Sequence, residues 1–264
     1  MAQVSAGYKI EQLLEEWADG ALYAAYQESL QRKILLRLDR LPHDASGAAK
    51  ERHLAAARKL GALNHPNIVR VVEVGETKEG VFCAMEYPGD LTLDRRMNEQ
   101  GALPPQETAG AALHVLAALE FASSQENIAH GSLRPHVIFM TQDGFVKVAE
   151  FGMERKRSRM QLGRDAQYVP PEKVAGGFVD ERSDIYSLGA IMYRAMSGRL
   201  LFPDIDPKRV LARQVEEAPV PLEQVSPSIP PELAAIVETA IRKDPRKRYQ
   251  TPGQMAAALK AVKL

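Results

Sequence analysis

Short apolar runs bounded by turn residues predict strands at Tyr8–Glu15 and Ala21–Tyr26, joined as a hairpin. A third strand is expected at Gln31–Leu38, and two more at Val69–Val74 and Val81–Tyr87 around a turn at Glu76–Gly80. Between them Leu54, Ala57, Leu60 and Leu63 recur at three- and four-residue spacing, which predicts a helix over Ser46–Leu63. Pro88-Gly89 breaks regular structure, and the pattern turns helical afterwards. Ala112, Val115, Leu116 and Leu119 put an apolar stripe on a helix over Pro105–Ser123, and such a stripe is core. Strands are expected again at Val137–Met140 and Phe145–Ala149, where Asp143-Gly144 between two apolar runs signals a hairpin. Four more helices are predicted at Ile185–Ser197, Pro207–Glu216, Pro231–Ile241 and Thr251–Ala261. Several open on a proline or a small polar residue, as helix starts do.

Composition narrows the classes. With 264 residues the chain suits one large domain or one domain of two lobes, and 45% hydrophobic residues supply a sizeable core. Basic and acidic residues balance at 34 each, so global charge points to neither nucleic acid nor an anionic membrane. Cys83 is the only cysteine, which excludes an internal disulfide framework and suggests a reducing compartment. No basic-then-apolar leader opens the chain, and the apolar run Ala109–Leu119 contains His114 and is too short to cross a bilayer. The expectation is a soluble, cytoplasmic domain with no membrane segment and no nucleic-acid partner.

Candidate chemistry centres on residues 127–152. His130-Gly-Ser-Leu-Arg-Pro-His-Val137, followed by Glu150-Phe-Gly152, resembles the catalytic and metal-binding loops of eukaryotic-like protein kinases, H-R-D-L-K-P-x-N and D-F-G. Other pieces agree with that resemblance: His65-Pro-Asn-Ile-Val69, Pro170-Pro-Glu172, Asp180-Glu-Arg-Ser-Asp-Ile-Tyr-Ser-Leu-Gly189 and Asp244-Pro-Arg-Lys-Arg248. Together they cover about residues 8–262 and are most similar to bacterial Hanks-type serine/threonine kinases. The implied fold is α+β and bilobal: a small β-sheet lobe with one main helix over 1–87, and a larger helical lobe over 88–264. Met85, Glu86 and Tyr87 stand at the hinge, with Met85 guarding the pocket. His130, Phe151, Glu172, Asp184 and Arg248 are implied to be structural, with Glu172 paired to Arg248 and Asp184 accepting from the catalytic-loop backbone.

The chemical positions depart from the family pattern. Arg37 replaces the phosphate-holding lysine, Ala56 the helix glutamate, Ser132 the base, Val137 the metal-binding asparagine and Glu150 the metal-binding aspartate. Ser132 cannot act as a carboxylate base, and Val137 has no donor for Mg²⁺. Lys33 shares a strand face with Arg37, but roughly 13 Å of strand makes it a poor substitute. The glycine-loop positions are Glu15, Trp17 and Gly20, only the last still glycine. Trp17 is either exposed on an ordinary hairpin loop or used to contact a partner or block the pocket. Arg37 is either a solvent-reaching strand residue or one with a new role. Leu35 and Phe139 stand where the family sandwiches adenine, and both are larger than the family's alanine and leucine, so the slot is expected to be filled.

These departures identify the chain as a degenerate member, a pseudokinase: not an enzyme, without ATP or other cofactor, serving as a protein-binding scaffold or allosteric regulator. A weak or atypical phosphotransferase and a nucleotide sensor without turnover are the alternatives. Arg155, Lys156, Arg157 and Arg159 form a basic run, either a solvated loop or a docking patch. Its implied partner is an active kinase or an acidic or phosphorylated protein.

Overall fold

The computed structural model describes residues 3–4, 7–41, 47–78, 80–141, 144–153, 163 and 165–263. Six strands build one antiparallel sheet: β1 (Gln3–Val4), β2 (Tyr8–Trp17), β3 (Gly20–Gln27), β4 (Arg32–Arg40), β5 (Val71–Glu76) and β6 (Gly80–Glu86), in the order β1-β2-β3-β4-β6-β5. Helix α1 (Gly47–Gly61) packs on β5 and β6. Alternation sorts β4 between two faces. Ile34 and Leu36 join Tyr8, Ala25, Phe82 and Ala84 on one side, while Leu35 joins Leu22, Cys83 and Met85 on the other.

Strand β2 is longer and less regular than expected. Its register against β3 shifts between Ile10 and Gln12 and again between Leu13 and Glu15. A bulge moves the following side chains to the other face. Leu13 and Leu14 therefore stay exposed, while Trp17, paired with Gly20 across a two-residue turn, is buried.

The second lobe is helical: α2 (Leu93–Gln100), α3 (Pro105–Glu126), a small hairpin of β7 (Ile138–Met140) and β8 (Val146–Val148), then α4 (Pro171–Val174), α5 (Glu181–Ser197), α6 (Pro207–Glu216), α7 (Leu222–Val225), α8 (Pro231–Ala240) and α9 (Pro252–Ala261). Asp143, expected in the hairpin turn, lies outside the described residues. Helix α5 is the axis of this lobe. Asp180 and Ser183 close a capping box at its start, and Gly198 ends it with a φ of 68°. Nearly all of its side chains from Ser183 to Met196 are buried, against α3 and α8. Gly189 permits that approach, since a Cβ there would lie 2.8 Å from the Ala240 Cβ.

The two lobes meet through β8. Val69 N donates to Val148 O at 2.9 Å, Val148 N to Asn67 O at 2.8 Å, and the Asn67 amide to Val146 O at 2.8 Å. This is the bilobal α+β arrangement expected from the motifs. Among the described residues, no helix is long and apolar enough to cross a membrane.

Candidate functional site

The loop between α3 and β7 is held by its own backbone bonds. His130 N and Gly131 N donate to the two carboxylate oxygens of Asp184 at 2.7 and 2.8 Å. The His130 Nε2 donates to Ala149 O at 2.9 Å, its Nδ1 accepts from Ser132 N at 3.3 Å, and its ring packs at a tilt against Phe151, centroids 4.8 Å apart. Those partners fix the neutral Nε2–H tautomer. The loop thereby fixes the backbone that carries Ser132, Arg134 and Val137. The Lys173 Nζ donates to Gly131 O at 2.6 Å and to Ser132 Oγ at 3.3 Å. Val137 is buried in the apolar core of the larger lobe.

Arg134 is the hub of the site. Its side chain is 2% exposed. Its Nη2 meets Glu150 Oε2 at 2.9 Å and Glu15 Oε2 at 3.5 Å, its Nε faces Asp165 Oδ2 at 3.7 Å, and its Nη1 donates to Ser132 O at 3.1 Å. Burial alone would lower the guanidinium pKa, but Glu150, then Asp165 and Glu15, outweigh it and raise it. Glu150 accepts this bond from a left-handed backbone, φ 69°, uncommon for a residue with a Cβ. The surrounding contacts must hold that conformation in place.

Arg37 and Trp17 fill the space under the β2–β3 turn. Trp17 is 3% exposed, which removes the exposed-hairpin reading. The Arg37 guanidinium lies 4.9 Å from the indole centroid. Its Nε donates to both oxygens of Asp39 at 3.0 and 2.8 Å, and it is 3% exposed, so it is not a solvent-reaching strand residue. Burial works against its charge, but Asp39, with a further contribution from Glu150, raises its pKa. Lys33 instead points outward, 3.8 Å from Glu11. The Ala56 side chain lies outside the described residues.

Leu35 and Phe139 belong to one buried apolar cluster with Trp17, Leu22, Cys83 and Met85. Beside it a cavity of about 330 Å³ opens, lined by Leu22, Phe139, Tyr87, Gly89, Asp90 and Glu15 among others. Phe139 borders this cavity and Leu35 does not. At the hinge, Glu86 accepts from Lys147 at 2.5 Å and from Arg70 N at 3.0 Å. Met85 pairs with Leu35 across the sheet.

The larger lobe contains a second buried ion pair. Arg248 donates to the two oxygens of Glu172 at 2.7 and 2.8 Å and to the carbonyls of Arg182, Arg242 and Lys243. Burial pushes the Glu172 carboxyl up, but hydrogen bonds from Arg248 and Ser183 prevail and hold it below the usual range. Arg155, Lys156, Arg157 and Arg159 lie outside the described residues.

Sequence reasoning missed Arg134 as a hub, and with it Asp165 and Lys173. The available signal was paired: an anion, Glu15, at a glycine position, and a longer, forked cation, Arg134, at a lysine position. A magnesium ion is the group that the resemblance implies here, and the residues present do not fit it. Hard cations require oxygen donors. Val137 offers none, and the carboxylate of Glu150 already serves a guanidinium.

Known proteins resemble the chain along nearly its whole length. The protein kinase domain family matches residues 20–260. The serine/threonine-protein kinase PksC of Streptomyces coelicolor is 32% identical over 94% of this chain and 47% of its own. PknB of Mycobacterium leprae is 31% identical over 97% of this chain and 43% of its own. The chain thus spans less than half the length of these curated relatives. The crystal structure of the Mycobacterium tuberculosis PknI kinase domain superposes with a TM-score of 0.74, at 22% identity, covering 98% of this chain and 97% of that one. The relatives are named serine/threonine-protein kinases, and this corrects the expectation that the chain is not an enzyme. That expectation rested on single side chains, Ser132 and Val137 foremost, whereas the similarity runs through the whole domain.

Proposed function

Because the chain belongs to the protein kinase family, we propose that it works in signalling as a protein-binding domain, a scaffold or allosteric regulator, whose cleft is braced by its own side chains. The Arg134 cluster carries this reading: one buried guanidinium links Glu15 on β2 to Glu150 and Asp165 in the other lobe. A small lobe over 1–87 and a larger one over 88–264 suit such a brace, and β6 ends at Glu86, next to the proposed boundary. The partner we propose is an active kinase or an acidic or phosphorylated protein, met by Arg155, Lys156, Arg157 and Arg159. The basic composition of that run supports this.

Calorimetric titration of ATP, with and without Mg²⁺, tests the brace. The reading predicts that Mg²⁺ adds nothing to whatever affinity ATP has. A tenfold gain on adding Mg²⁺, about 1.4 kcal/mol, would contradict it. The names of the relatives favour a second reading, an atypical serine/threonine phosphotransferase. Transfer of labelled phosphate from ATP to a protein substrate tests this second reading.

A further inference from the structure

We propose that the chain pairs with a second copy of itself through helix α6, the two copies of the helix lying antiparallel about Ala212. Such pairing is independent of what the cleft binds. Helix α6 is amphipathic. Pro207, Val210 and Gln214 are buried against the domain, while Lys208, Arg209, Ala212, Val215 and Glu216 are exposed on the opposite face. Among the described residues, the side chains of Lys208, Arg209 and Glu216 have no hydrogen-bond or ion-pair partner. The other charges of the helix are committed: Asp206 caps its start by accepting from Lys208 N, and Arg213 meets Glu217 at 2.7 Å.

The exposed face runs against the helix dipole. Anions are favoured at a helix N-terminus and cations at its C-terminus, yet Lys208 and Arg209 stand in the first turn and Glu216 in the last. That order costs the isolated helix, and a second helix laid antiparallel makes use of it. A two-fold axis at Ala212 sets Lys208, four residues before it, opposite Glu216, four residues after it. Each such pair forms twice in one interface, roughly 6 Å along the helix from the axis. Arg209 then faces Val215, over which its alkyl stem lies. Alanine at the crossing lets the two backbones approach. Apolar surface accompanies the charges: Val215 is 40% exposed, and Ile205, just before the helix, and Val220, after it, are 102% and 53% exposed. Antiparallel pairing brings the start of one helix to the end of the other, and so Ile205 toward Val220 of the second copy.

One helix face and its flanks make a small interface, below about 1,200 Å², so the pairing is weak and depends on concentration. Sedimentation of the chain at low salt, from about 5 µM to about 500 µM, reads it. The native chain should pass from monomer to dimer over that range. Lys208→Glu with Arg209→Glu makes the exposed face acidic throughout, and Glu216→Lys makes it basic throughout. Each should stay monomeric alone, and an equimolar mixture of the two should dimerise again. The acidic variant should melt no lower than native, because its first turn now follows the dipole, and this separates loss of pairing from loss of fold. If either charge variant fails to fold, Ala212→Arg takes its place: it sets two like charges together at the axis and should be monomeric. A native chain that stays monomeric throughout overturns the proposal and leaves the face to a different protein. Dimerisation of any single variant at native strength overturns it too, as does a mixture that stays monomeric.

Discussion

The indole of Trp17 lies where a side chain on Gly20 would have to go: a Cβ there would sit 2.5 Å from Trp17 Nε1 and 2.5 Å from the Leu38 carbonyl oxygen. Glycine in this turn therefore makes room for the chain's own tryptophan. The Leu38 oxygen is backbone and cannot swing aside. Gly20→Ala should destabilise the protein by about 1–3 kcal/mol through overpacking. Denaturant melts measure this. A change within about 0.5 kcal/mol would mean that the turn relaxes freely and Trp17 is not wedged there.

Arg248 is fully enclosed and serves Glu172 and three carbonyls at once. Arg248→Ala strands a partly buried carboxylate and leaves those carbonyls short of a donor, at a cost of roughly 3–5 kcal/mol. Arg246, two residues earlier, is 84% exposed at its side chain, and Arg246→Ala should leave the melt nearly unchanged. Equal small shifts for the two variants would disprove the role of the pair in holding the larger lobe.

Burial, and then the charge of Arg134, lower the His130 imidazole to about 4. An unfolded histidine titrates near 6.5. Between those values the unfolded chain binds more protons, so the His130 contribution is full above about pH 6.5 and is lost as pH falls toward 4. Asp184 runs the other way: burial lifts it to about 7 against the two N–H donors, so its contribution weakens as pH rises from about 4 toward 7. NMR can follow His130 directly. Its ring resonances should hold steady from about pH 8 down to about pH 5.5, and a midpoint near 6.5 would contradict the buried, neutral tautomer.

Local pattern made much of the fold legible. The apolar stripe of α3 and the proline starts of α6 and α8 sit within a few residues of their expected places. Helix α2 was missed because only Leu93 and Met97 are buried in it, and its start depends on Thr92 accepting from Arg95 N. Trp17 was left open because its direction follows from two register shifts in β2, which no apolar spacing announces. Arg134 stands where the kinase pattern H-R-D-L-K-P-x-N has its lysine, and nothing in that position announces a hub. Its partners lie at 15, 150 and 165, and charge pairing over such separations becomes visible only once the chain is folded. Leu35 and Phe139 were expected to fill one slot; both are buried in one cluster, and the cavity that Phe139 borders went unforeseen.

Trp17 is the only tryptophan in the sequence, so its fluorescence reports on the cleft alone. A cleft filled and braced from within places that indole under Arg37 and away from water. Emission should be blue-shifted and poorly quenched by acrylamide, and neither property should change when ATP and Mg²⁺ are added together. Water-like emission with ready quenching, or a spectrum that shifts only when both ATP and Mg²⁺ are present, would contradict the braced cleft.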